Sequence, residues 1–207
     1  MLIRPAVDSD LPYLYDICLK TGDAGKDAAS LFYDPYLLGH YFAAPYLFFD
    51  KTLCFIVEED YTPQGYMVAA GESLTFYRWL LETWLPPLRR RYPDPPPGGR
   101  VKSRYEQKMM VLLHQVPGLP ETASPWFSRY PAHLHINLLP PVQGKGQGKT
   151  LMRTLFAELE RRKIPGVHLG VGIENPAAIG FYQKTGFSVL QEEAWGITMG
   201  KELNHGF

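Results

Sequence analysis

Between His133 and Arg162 the hydrophobic period changes from two residues to about 3.6 across a glycine-rich turn, and few architectures accommodate that change. The run His133-Leu134-His135-Ile136-Asn137-Leu138-Leu139 alternates as a half-buried strand does, and Thr150 to Arg162 carries apolar residues at helical spacing. The turn between them contains Gln143-Gly144-Lys145-Gly146-Gln147-Gly148-Lys149. Strand, glycine turn and helix in this order aim free backbone N–H groups at a phosphate, helped by roughly half a unit of positive charge at the helix N-terminus. Glycine suits the turn because a side chain would hold a ligand's oxygens off the amides, and because glycine tolerates positive φ. An α/β fold and a phosphate-bearing ligand are the first expectations.

Two phosphate motifs overlap here. Gly148-Lys149-Thr150 ends like a nucleotide-binding P-loop, but G-x-x-x-x-G-K-[ST] needs glycine at position 143, where the chain has Gln143. The other reading is Gln143-x-x-Gly146-x-Gly148, with Asn175-Pro-Ala-Ala178-Ile-Gly-Phe181-Tyr182-Gln-Lys-Thr-Gly186-Phe187 downstream. Together these resemble the two halves of the signature of the GNAT superfamily of N-acetyltransferases, [QR]-x-x-G-x-[GA] and N-x-x-A-x-x-F-Y-x-x-x-G-F. The resemblance covers about His133 to Val189 and is only architectural before that. Within the superfamily, this segment most resembles the acetyltransferase-like domains related to those found beside O-GlcNAc hydrolases.

The resemblance implies an α/β fold with a mixed central β-sheet flanked by helices, and acetyl-CoA as cosubstrate. It places the cofactor's pyrophosphate on the turn formed by Gln143, Gly144, Lys145, Gly146, Gly148 and Lys149. It also puts Asn175 beside the pantetheine arm and the Tyr182 hydroxyl beside the sulfur. The fourth strand of such a sheet bulges near Leu138 and Leu139, offering a backbone N–H to an oxyanion. Pro140-Pro141 directly afterwards fits that break, since neither proline can donate a ladder bond.

At 207 residues the chain is long enough for one well-buried domain over 1–207 with room for an insertion. Lys plus Arg equals Asp plus Glu at 21 each, so no global field draws nucleic acid or an acidic membrane. No basic segment precedes an apolar one at the N-terminus, and no apolar run approaches the roughly 20 residues that span a bilayer. A cytoplasmic protein is expected. Cys18 and Cys54 fall in helix and strand patterns and read as buried thiols; no Cys/His cluster has zinc spacing, so no metal is expected.

Leu2–Pro5 reads as a first strand, followed by a helix carrying Leu11, Leu14, Ile17 and Cys18. Leu53–Glu58 and Gly65–Ala70 read as a strand pair joined by a turn at Tyr61–Gly65. Residues 74 to 130 form an elaboration before the fourth strand, with helical periodicity at Phe76–Tyr92 and Ser103–Val116 around the proline-rich Tyr92–Arg100. The acetyl-CoA core is expected over 133–190, with Ser188–Leu190 and Ala194–Met199 closing the sheet.

Acetyl transfer to an amine needs a base, an oxyanion donor and an acid for the leaving thiolate. His133 and His135 are the base candidates: on a strand they share a face with Asn137, and an imidazole accepts protons near neutrality. Ala132-His-Leu-His135 also resembles the paired histidines of serotonin N-acetyltransferase. Glu72 and Asp34 are the acidic alternatives. Tyr182 is the acid candidate, since a phenol remains protonated at neutral pH. The acceptor is open: a small amine, an amino sugar or a protein lysine. Exposed-looking aromatics leave a homodimer open as well. The rival from another class is a non-catalytic acyl-CoA-binding or protein-interaction module of the same fold.

Overall fold

The computed structural model describes residues 1–94, 96, 99–114 and 126–203. Among these, seven strands form one mixed sheet: β1 (Leu2–Pro5), β2 (Cys54–Glu59), β3 (Thr62–Ala70), β4 (Ala132–Leu138), β5 (Gly166–Gly172), β6 (Ser188–Glu193) and β7 (Gly196–Glu202). Their order is β1-β2-β3-β4-β5-β7-β6, antiparallel except for β4 beside β5.

Helices cover both faces. On one side lie α1 (Leu11–Lys20), α2 (Gly39–Phe42), α3 (Ala44–Asp50), α4 (Ser73–Trp79), α5 (Leu85–Arg91) and α6 (Arg104–His114). On the other lie α7 (Gln147–Arg161) and α8 (Pro176–Lys184). The unbroken run Tyr66-Met67-Val68-Ala69-Ala70 on β3 follows from this double cover. Tyr66, Val68 and Ala70 pack under the first group, Met67 and Ala69 under the second, and all five are fully buried.

Helices α4, α5 and α6 stand before β4, and they depart from the sequence pattern in two places. The helical pattern expected from Phe76 begins at Ser73, where the Glu72 carboxylate caps the N–H groups of Leu74 and Thr75. It widens into a π-helical turn over Leu80–Trp84, just before Leu85-Pro86-Pro87. Two prolines cannot donate helical bonds and their rings crowd the preceding turn, so a wider turn relieves the conflict. The expected end of the second helix at Val116 and positions 95, 97 and 98 of the proline-rich linker lie outside the described residues. The β2–β3 turn is also tighter than expected: Asp60 and Tyr61 both take positive φ, +49° and +61°, so β3 already begins at Thr62.

One irregularity positions everything that follows. β4 pairs with β3 along its length, from Ala70↔His133 to Gly65↔Leu138, but with β5 only at Ala132↔Val167 and His133↔His168. Beyond His133 the two parallel strands part, and a cleft opens in the middle of the sheet.

Candidate active site

The lip of the cleft on β4 is bare backbone. Leu139 N–H donates to Gln64 O at 2.9 Å, so alternate amides along β4 turn towards β3 and those between them turn towards the cleft. Leu138 belongs to the second set. Its carbonyl accepts from Gln143 Nε2 at 2.7 Å, and its N–H faces the opening. Of the two expected oxyanion donors, Leu139 is spent on the sheet and Leu138 is available.

The glycine turn closes the end of the cleft. Gln143 N–H bonds Pro140 O and Thr150 N–H bonds Gly146 O, but the N–H groups of residues 144 to 149 have no partner among the described residues. A run of free amides at the start of a fifteen-residue helix is an anion cradle. Its glycines differ in their reasons. Gly144 and Gly146 take φ of +70° and +82°, and a Cβ on either would meet nothing within 4 Å among the described residues, which leaves room there for a ligand. Gly148 is a packing residue, because a Cβ there would come within 3.0 Å of the Phe181 ring of α8. Lys145 lies 4.0 Å from Glu59, and Lys149 is exposed.

The two histidines of β4 have different surroundings. His133 is buried among Tyr46, Phe76 and Tyr77. Ser73 Oγ donates to Pro131 O, so His133 Nδ1–H donates to Ser73 Oγ at 2.7 Å, and Tyr46 O–H then donates to His133 Nε2 at 2.8 Å. Both ring nitrogens are committed, which makes His133 a structural residue rather than a free base. His135 is half-buried and neither nitrogen has a partner among the described residues; the edges of Phe42 and Tyr46 hold its ring at centroid distances of 5.3 and 5.4 Å. Burial, with a smaller contribution from His168, pushes its pKa down to about 4, so the ring is neutral at pH 7. Asn137 is also committed, donating through Nδ2 to Thr21 Oγ1 at 2.6 Å at the end of α1.

Tyr182 lies across the sheet from His135, in the core layer that holds Leu134, Ile136 and Leu138. Burial raises its pKa, and its hydroxyl has no partner among the described residues. Asn175 caps α8 through Oδ1, which accepts from Ala178 N at 3.1 Å, leaving its Nδ2 free to donate. The turn after α1 reaches this point, since a Cβ on Gly25 would stand 3.9 Å from Asn175 Nδ2.

The acidic alternatives are occupied elsewhere. Glu72 caps α4, and Asp34 accepts from Arg91 and from the Tyr92 hydroxyl. Sequence reasoning missed His168, Ser73 and Tyr46, which reach this region from β5, α4 and α3. His168 donates through Nδ1 to Tyr130 O at 2.7 Å, and burial pushes its pKa to about 4. The spacing of these residues carries no signal, because 38 residues separate His168 from Tyr130 and 60 separate Ser73 from His133. Cys18 and Cys54 are buried free thiols. Among the described residues, no group of three His, Cys, Asp or Glu could hold a metal ion, and no helix is long and apolar enough to cross a membrane.

Comparison with known proteins agrees with this geometry. The family model described as acetyltransferase (GNAT) family matches residues 110–187, which contain the cradle, the cleft lip and α8. The crystal structure of SsHAT is 31% identical, covers 98% of this chain and 98% of its own, and superposes with a TM-score of 0.87. Protein O-GlcNAcase from Rattus norvegicus is 23% identical over 205 residues, 97% of this chain but 22% of that protein, so the chain spans about a fifth of this curated relative. A Salmonella typhimurium structure, yncA with its cofactor acetyl-CoA, shares the fold at a TM-score of 0.54 and 16% identity, over 100% of this chain and 96% of that one. With a sheet parted beyond His133, an amide cradle at the end of the cleft, and a relative alike along nearly its whole length, the chain belongs to the GNAT acetyltransferase family.

Proposed function

We propose that this protein binds acetyl-CoA in the cleft between β4 and β5 and transfers the acetyl group directly to an acceptor amine. The observation that carries the proposal is the run of unpartnered N–H groups over residues 144–149 at the end of that cleft. The pyrophosphate rests on these amides, and pantetheine takes the place of the missing β4–β5 ladder, with Asn175 Nδ2 donating to it.

The amine nitrogen attacks the thioester carbonyl carbon, and the carbonyl electrons move to oxygen, which Leu138 N–H stabilises. His135 takes a proton from nitrogen. An imidazole with a pKa of about 4 is too weak to deprotonate a free ammonium of pKa about 10.4, because six units cost roughly 8 kcal/mol. The amine therefore arrives neutral, and His135 accepts the proton after the C–N bond has formed and made that nitrogen acidic. The C–S bond then breaks while the Tyr182 hydroxyl donates its proton to the leaving sulfur, and the proton held by His135 returns to the tyrosine oxygen through water, so neither residue ends changed. Base and acid act from opposite faces of the sheet, through the cleft.

Calorimetric titration with acetyl-CoA tests binding. Saturable binding is expected in the native chain, with about 100-fold weaker binding in Gly146→Val, where a branched side chain fills the cradle and strains a φ of +82°. Equal affinity of the two proteins would remove the amides from the site. Tyr182→Phe is expected to lower kcat about 100-fold at unchanged acetyl-CoA affinity, read by free-thiol release. A chain that binds acetyl-CoA but releases no thiol with any amine would instead be a non-catalytic acyl-CoA-binding module.

A further inference from the structure

Trp195, in the β6–β7 turn, is 57% exposed, and core packing does not explain its position. Its six-membered ring reaches back over β5: a Cβ on Gly170 would meet Cη2 at 2.7 Å and Cζ3 at 3.3 Å. Leu169 and Val171 point into the layer beneath α7 and α8, so Gly170 faces the other side, the side of His168 and His133. The lack of a side chain on Gly170 lets the indole lie there.

The register locates this ring relative to the cleft. His133↔His168 is the last pair before the strands part. Two residues further along come His135 on β4 and Gly170 on β5, on the same face. Imidazole and indole are therefore counterparts on the two lips of the opening. Both lips are aromatic: Phe42 and Tyr46 flank His135, while Trp126 and Phe127 stack on each other at 4.5 Å and both meet the ring of His168. No ion pair among the described residues involves any of these groups.

We infer that Trp195 is a specificity-determining residue which packs against the group carrying the acceptor amine, and that this group is an uncharged aromatic ring. The inference rests on the acetyl-transfer reading above. An amine passing between imidazole and indole leaves its carrier between the two aromatic lips. A planar ring there gains offset or edge-to-face contact on either side, which an aliphatic chain of similar length cannot match.

Binding of 2-phenylethylamine to the protein saturated with coenzyme A tests this without turnover, so the measurement survives even if no acetyl transfer is found. The native chain is expected to bind 2-phenylethylamine at least ten-fold more tightly than n-butylamine or spermidine. Trp195→Ala, and Gly170→Val, which displaces the indole with Trp195 intact, should each abolish that preference and leave coenzyme A affinity unchanged. Absence of 2-phenylethylamine binding, equal or tighter binding of spermidine, or a preference retained in both variants would overturn it.

Discussion

Replacing His135 with alanine is expected to lower kcat by roughly 10²–10⁴-fold while leaving acetyl-CoA affinity unchanged. The proposed mechanism asks this imidazole for proton transfer alone. Its nitrogens have no partner among the described residues, and it lies on the cleft lip rather than in the amide cradle. The same mechanism specifies the pH profile. Because the His135 pKa is pushed down to about 4, the base is already neutral across the physiological range. The rate should climb with pH towards the acceptor's own ammonium pKa, with no inflection near 6.5. An inflection near 6.5 that vanishes in His135→Ala would mean that the ring titrates normally. His133→Ala supplies the contrast: it leaves Tyr46 and Ser73 without their shared partner, so it should cost stability before chemistry. A kcat loss in His133→Ala at native stability would reverse the two roles.

The second large effect is acid sensitivity of the fold. Burial holds His40, His135 and His168 down to about 4, and holds His133 well below its ordinary value. Each folded pKa lies below the unfolded value of about 6.5, so the unfolded chain binds more protons between those pH values and stability falls as pH drops through that window. A histidine lowered from about 6.5 to about 4 contributes up to roughly 3 kcal/mol, a large fraction of the stability of a typical domain. His40 shows the cause plainly. Its Nδ1 bonds the Tyr15 hydroxyl and its buried Nε2 has no partner among the described residues, so protonation there would bring a charge with no acceptor among them. Urea midpoints measured from pH 7.5 to pH 4.5 should fall steeply below about pH 6. A profile flat to pH 4.5 would show that these imidazoles are not held neutral by the fold.

Both effects depend on residues whose type was visible in the sequence but whose role was not. His133 and His135 are equivalent in the alternating pattern: same strand, same face, two residues apart. Contacts from Tyr46 and Ser73 occupy both ring nitrogens of one of them, and those partners stand 87 and 60 residues away. Leu138 and Leu139 were likewise equal candidates until pairing with β3 consumed the amide of Leu139.

What the sequence determined by itself is local. The period of β4, the glycines at positive φ, the Asn175 cap and the amphipathic course of α7 each depend on residues a few positions apart, where backbone sterics and short hydrogen bonds decide the outcome. Tertiary structure decided where β4 and β5 part, which imidazole stays free, and which aromatic stands opposite it. Each of these turns on groups distant in sequence competing for the same hydrogen bond or the same space, and that competition takes place only once the sheet and its covering helices have assembled.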